Sequence, residues 1–293
     1  MSMQKVVIVL LVVGVAILVT SAAPAIARPQ PDQDMAAPGS FYVESNGGVV
    51  KVSLTGYTET IVSSRGSYAL EILNRQLYVK RGEGIAVYDL NGVFIRTVPI
   101  PTQAHFLTFV TVPDGRIALL DNAADKVHFI SSSGDLLSTV NMKDTPDDTL
   151  QNVDGVVVNN KLIVSEDGDN HVLAIDLTTY EKTIFKDLTG FPGWLGAITY
   201  AEGTYYICGS TTIHSFSEDG NAIRVGEIPE HNITGIVVVG GMAYVTVNLP
   251  GKVYQVNLST GTSRVLASGL DYPKDIEYQD PLRTFLPMIL DNW

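Results

Sequence analysis

Side chains able to hold a cation or move a proton crowd into a few connecting loops of this 293-residue chain. Glu166, Asp167 and Asp169 fall beside Asn170 in one short segment, and Asp154 closes a long polar link, Met142 to Asp154. Oxygen donors at that density suit a divalent cation such as calcium, which takes about six to eight of them. The DGDN segment lacks the alternating-acid spacing of a dedicated calcium loop, and Asp and Gly also populate ordinary solvent turns. His105 and His231 fall in connecting loops; either is a candidate general base, because imidazole titrates near neutral pH. Trp194 ends the Gly- and Pro-containing link FKDLTGFPGW, where an indole serves as a ligand platform or packs on a neighbouring loop. With His105 and Trp194, Asn232 and Lys274 complete the candidate ligand-binding set, and Asp275 is a catalytic candidate.

These loops interrupt a repeat. Lys161 to Phe185 reads as strand, tight turn, strand, turn, strand, from its alternating β-branched residues and its Asp, Gly and Asn punctuation. Copies align on Tyr42, Tyr78, Ala118, Ile163, Tyr206 and Tyr244, at successive intervals of 36, 40, 45, 43 and 38 residues. Such a period marks an array whose units cannot bury their apolar faces alone. A turn follows the next strand of each copy: Thr55-Gly56, Asn91-Gly92, Ser133-Gly134, Thr178-Thr179, Asp219-Gly220 and Thr260-Gly261. Glycine at the second place supplies the positive φ a tight hairpin asks for. Asp89, Asp176 and Asn257 precede their turns and are expected to cap them.

A further short run precedes the LYV-like strand in every copy but the first, and the last such run, YPKDIEYQD from Tyr272, has nothing after it. The two ends complete one another. The expected fold is all-β: a six-bladed β-propeller over residues 41–280, with four-stranded antiparallel blades closed three-plus-one by the C-terminal strand. Strand direction then places the between-blade links and first-hairpin loops around one mouth, and the Gly-rich turns on the opposite face. Ligands of such rings enter by that mouth.

The pattern LYV-x-D/E…N-x-V-x-x-x-D-x-x-G, matched best by VYQVNLSTGTSRVLASGLDYPKDI, resembles NHL-type repeats. Their relatives include the gluconolactonase-like (SMP-30) and streptogramin lyase-like propellers. What the resemblance implies is a fold; activity has to be read from a site. The gluconolactonase-like enzymes would imply a divalent ion held by inner-strand acids, which points to Glu71, Asp154 and Asp275, with His231 as the fourth catalytic candidate. The inner strands carry no His, so the His/Glu/His group of the streptogramin lyase-like enzymes has no counterpart.

Residues 1–27 have the pattern of a signal peptide: Lys5, an apolar run from Val6 to Val19, and Ala25-Ile26-Ala27 as a small-x-small cleavage site. An uncleaved anchor is the alternative, since about 20 apolar residues span a bilayer. Either way the expected location is secreted or at the extracytoplasmic cell surface, with membrane contact only through that segment if it is retained. Residues 28–40 form a lead-in. The full chain carries a net charge of −12, which argues against a nucleic-acid partner. Cys208 stands alone, so no intrachain disulfide forms, and YYICGS places it as a small buried hydrophobe. Asn232 and Asn257 each begin a sequon. The apolar tail, residues 281–293, is spaced as one face of a short helix and is expected to fold over the rim. The leading functional expectation is a module binding a protein or small-molecule ligand through an acidic mouth. A metal-dependent lactonase or lyase, and a structural subunit of an envelope assembly, are the alternatives.

Overall fold

The computed structural model describes residues 39–63, 69–82, 84–101, 108–143 and 152–280. The leader, most of the lead-in, His105, the middle of the Met142 to Asp154 link and the apolar tail lie outside the described residues.

Among the described residues twenty-four strands run in chain order. Blade 1 begins with β1 (Ser40–Ser45), β2 (Gly48–Ser53) and β3 (Thr58–Ser63). Blade 2 holds β4 (Leu70–Leu73), β5 (Gln76–Arg81), β6 (Gly84–Asp89) and β7 (Phe94–Pro99). Blade 3 holds β8 (Thr108–Thr111), β9 (Ile117–Asp121), β10 (Lys126–Ile130) and β11 (Leu136–Asn141). Blade 4 holds β12 (Asn152–Val158), β13 (Lys161–Glu166), β14 (His171–Asp176) and β15 (Lys182–Asp187). Blade 5 holds β16 (Ile198–Ala201), β17 (Thr204–Cys208), β18 (Thr212–Phe216) and β19 (Ile223–Glu227). Blade 6 holds β20 (Ile233–Val239), β21 (Met242–Val247), β22 (Lys252–Asn257) and β23 (Ser263–Ser268). The last strand, β24 (Asp275–Gln279), returns to blade 1, giving the sheet order β24-β1-β2-β3.

That return is the expected closure. β24 lies antiparallel to β1, with Tyr278 opposite Phe41 and Asp275 opposite Glu44. Phe41 is fully buried between Tyr244 of blade 6 and Tyr278 of β24, at ring-centroid distances of 4.2 and 5.2 Å. Each inner strand touches the inner strands before and after it, so the ring is continuous.

The second strand of each blade is buried on both faces, which is why it reads as a nearly unbroken apolar run. The outermost strands bury little; β7 and β11 leave Phe94, Ile95, Leu136 and Leu137 exposed. The apolar residues form clusters that each span one boundary between neighbouring blades. Tyr42, Val49 and Val62 meet Leu70, Leu77 and Val79 between blades 1 and 2, and Ile163 and Val172 meet Ile198 and Ile207 between blades 4 and 5. Burial across these boundaries, at about 25 cal/mol per Å² of apolar surface, is the main force holding the blades together.

The turn residues behave as their types require. Asp89, Asp176 and Asn257 each accept backbone N–H bonds from the turn that follows them. Gly56, Gly92, Gly134 and Gly261 adopt positive φ, whereas Gly220 does not, and Tyr180 takes φ +61 after the Thr178-Thr179 turn.

Candidate functional site

The register of the inner strands puts acids at two depths of the central channel. Asp275 and Asp154 lie opposite Glu44 and Ser165, which are equivalent places on the second strands of blades 1 and 4. Two residues further along, Glu277 lies opposite Tyr42 and Glu71 opposite Tyr78, again equivalent places. The upper layer therefore carries two Asp on opposite sides of the ring, and the layer beneath carries two Glu on adjacent blades. Glu71, Asp154 and Asp275 were candidates from the sequence; Glu277 was missed. Its signal was its spacing, two residues after Asp275 on an inner strand, so that both side chains share one face.

Each upper Asp also joins two blades. Asp275 Oδ2 accepts the Leu70 N–H at 2.9 Å, and Asp154 Oδ2 accepts the Ile198 N–H at 3.0 Å. The Ser165 hydroxyl adds a donation to the Gly196 carbonyl at 2.8 Å. Lower down, the Thr111 hydroxyl donates to Glu71 Oε2 at 3.2 Å.

Burial raises the proton affinity of all four carboxyls. Asp154 is pushed up to about 8, by desolvation and then by the charge of Asp275, against the N–H groups of Ile198 and Gly155. Asp275 is pushed up to about 6 by desolvation, with the Leu70 and Ile276 N–H groups opposing. Glu71 and Glu277 are raised well above the usual carboxylate range, by desolvation first and then by neighbouring acids of the channel. Four acids converging on one channel cannot all ionise cheaply at neutral pH.

Above the upper layer opens a cavity of about 510 Å³, walled by the between-blade links and first-hairpin loops, the mouth expected from strand direction. Asp154, Asp167, Trp194, Asn232, Lys274 and Asp275 all line it. Trp194 is 54% exposed there, while Leu195 behind it is buried and donates its N–H to Asp167 Oδ1 at 2.8 Å. Asn122 and Asn248, not singled out from the sequence, also line the wall. Each has an Oδ1 shielded from solvent and, among the described residues, without a hydrogen-bond partner. A second cavity, of about 630 Å³, opens at the other end of the channel between the inner-hairpin turns and includes Glu277.

Other candidates are placed elsewhere. His231 is exposed on the rim, its Nδ1 3.2 Å from the Ser210 hydroxyl, and does not join the channel acids. Glu166 is fully buried and caps its own hairpin, accepting the N–H groups of Gly168 and Asp169. Asp169 is exposed. Among the described residues no three His, Cys, Asp or Glu side chains stand together as a metal-binding set. Cys208 is buried, its thiol pushed up by desolvation and by Asp154.

No family model and no curated protein sequence matches the chain. Solved structures do resemble it. A chain of a nidogen/laminin complex superimposes with a TM-score of 0.69 at 11% identity, over 82% of this chain and 98% of that one. Virginiamycin B lyase from Staphylococcus aureus gives 0.54 at 16% identity, over 72% and 73% of the two chains. A streptogramin B lyase gives 0.53 at 15% identity, over 78% and 74%. At such identities the likeness is one of fold, and the fold of this chain is a six-bladed β-propeller.

Proposed function

We propose that this propeller is an extracytoplasmic binding module that takes a small, hydroxyl- or amine-bearing molecule into its upper mouth. The carrying observation is the pair of unpartnered amide oxygens, Asn122 Oδ1 and Asn248 Oδ1, in the wall of a cavity of about 510 Å³. Shielded acceptors call for donors, and the volume lies in the range of small-molecule sites. The exposed Trp194 offers a flat apolar face to such a ligand, as indoles do to the C–H face of a sugar ring. The signal-peptide pattern of residues 1–27 supports the location.

Fluorescence of Trp194 in a Trp293→Phe background tests the reading, with a panel of neutral sugars, amino sugars and polyols. Saturable change is expected with at least one class, weakened about tenfold by Asn122→Ala combined with Asn248→Ala. A flat response across the panel would remove it. An enzymatic reading has one observation in its favour: Asp154 and Asp275 line the same cavity with proton affinities close to neutrality. Turnover of a bound ligand, lost in Asp154→Asn with binding retained, would select it.

A further inference from the structure

A hydroxyl and an imidazole meet at the rim of the mouth. Ser210 belongs to the first-hairpin loop of blade 5, and His231 to the link from blade 5 to blade 6. The Ser210 hydroxyl lies 3.2 Å from His231 Nδ1. Ser210 and Asn232 line the cavity of about 510 Å³, while His231 stands exposed beside it. A serine hydroxyl is a weak nucleophile by itself, but one within reach of an imidazole can pass on its proton as it attacks. That direction needs the tautomer with hydrogen on Nε2, in which the hydroxyl donates to Nδ1.

The main chain holds the two loops together. The Gly209 N–H donates to the Thr212 carbonyl at 2.8 Å and closes the hairpin that carries Ser210. On either side of His231 the link is tied to that hairpin. The Ile228 N–H donates to the Thr211 carbonyl at 2.9 Å, and the Ile233 N–H to the Ser210 carbonyl at 3.3 Å. The approach of hydroxyl and imidazole is thus set by backbone bonds, and holding reacting groups in place is a large part of catalysis. Asn232, between His231 and β20, takes φ +68, a left-handed conformation that asparagine tolerates.

We propose that Ser210 and His231 form a nucleophile–base pair that hydrolyses O-acyl esters of molecules bound in the mouth, with the Asn232 side-chain amide donating to the developing oxyanion. Ser210 Oγ attacks the ester carbonyl carbon while its proton passes to His231 Nδ1. Collapse of the tetrahedral adduct breaks the bond to the alcohol oxygen, which leaves with that proton. Water, admitted at the exposed rim, then attacks the acyl-Ser210 carbonyl and gives a proton to His231. Release of the carboxylic acid returns that proton to Ser210 Oγ, so the net change is ester plus water to acid plus alcohol. Among the described residues no carboxylate backs the other ring nitrogen, which suits an ester, whose alcohol leaves more readily than the amine of an amide. The choice of alcohol rests on the reading of the mouth as a site for hydroxylated molecules; the chemistry does not.

The purified protein is treated with a fluorophosphonate and mapped by peptide mass spectrometry, and its hydrolysis of p-nitrophenyl acetate and of an acetylated sugar is followed in parallel. One label is expected, on Ser210. Turnover should fall to the buffer rate in Ser210→Ala, by about 100-fold in His231→Gln and by about 100-fold in Asn232→Ala. The labelling site is read on the unaltered protein, so label elsewhere, or none, overturns the pair even where a variant fails to fold. Turnover that His231→Gln leaves unchanged, in a variant with an unaltered melting temperature, overturns it as well. Label on Ser210 and ester hydrolysis with a silent sugar panel remove only the ligand class proposed for the mouth, whereas saturable sugar binding without label on Ser210 removes the pair alone.

Discussion

The seams between blades 1 and 2 and between blades 4 and 5 face each other across the ring, and the first consequence of comparing them is electrostatic. In both, an inner-strand Asp reaches forward to a backbone N–H of the next blade, Asp275 to Leu70 and Asp154 to Ile198. Yet Asp275 is pushed up to about 6 and Asp154 to about 8. Both are desolvated and both accept two backbone N–H groups, but Asp154 also carries the repulsion of Asp275. Two similar clasps sharing one narrow channel become unequal because the second charge is formed in the field of the first.

The seams also differ on the lower face. Gly92, at φ +83, packs against the Ile61 carbonyl of blade 1, so a Cβ there would collide with backbone. Gly220, the matching residue of blade 5, meets only the Ser217 side chain of its own turn.

The comparison is broken most forcefully by emptying each seam. Leu77→Ala and Ile207→Ala remove side chains with no solvent exposure from the two boundary clusters. Each should cost about 2–5 kcal/mol in denaturant unfolding. Similar losses would show that both seams belong to one cooperative unit, and a biphasic curve in one variant would show that they do not. Next in size, Gly92→Ala should cost about 1–3 kcal/mol, since it combines positive φ with a backbone collision, while Gly220→Ala should stay within about 0.5 kcal/mol. Equal effects would contradict the difference just described.

The pH dependence sharpens the electrostatic half. A carboxyl whose folded pKa is raised contributes fully below its unfolded value and loses that contribution as pH climbs to the folded one. Asp275 should therefore weaken the fold from pH about 4 to about 6, and Asp154 from about 4 to about 8. Melting temperature in the wild type should decline over that window, allowing for the other titrating groups. Asp154→Asn should flatten the upper half, whereas Asp275→Asn, which removes its own titration and the repulsion that raises Asp154, should flatten both halves. A decline that both variants reproduce unchanged would show that these carboxyls are not the source. The smallest expected effect is Ser165→Ala, which deletes one donation across the seam between blades 4 and 5 and should cost about 1 kcal/mol.

The ring was legible because repetition amplifies weak signals. One LYV-like strand says little, but six at similar intervals, each followed by a hairpin turn, leave few architectures. The partnership of Tyr272 to Asp280 with Phe41 to Glu44 followed from what each end lacked. The mouth was legible as a face, since strand direction alone decides which loops share it; Trp194, Asn232, Lys274, Asp154, Asp167 and Asp275 duly meet there. What escaped were properties of radius and neighbours. Glu277 and Glu71 belong together only once the blades are wrapped around an axis. The place of Glu166 suggested a ligand, but the carboxylate turns back on its own hairpin.

The pairing of β1 with β24 sets a timetable as well as a shape. The first strand of the ring to leave the ribosome must wait, with one edge open, until nearly every other strand has been translated before its partner exists. Blades 2 to 6 can each pair their own strands as they emerge, but blade 1 cannot be completed early. Until then the chain remains an open arc, and the pairing of Phe41 with Tyr278 is what turns it into a ring.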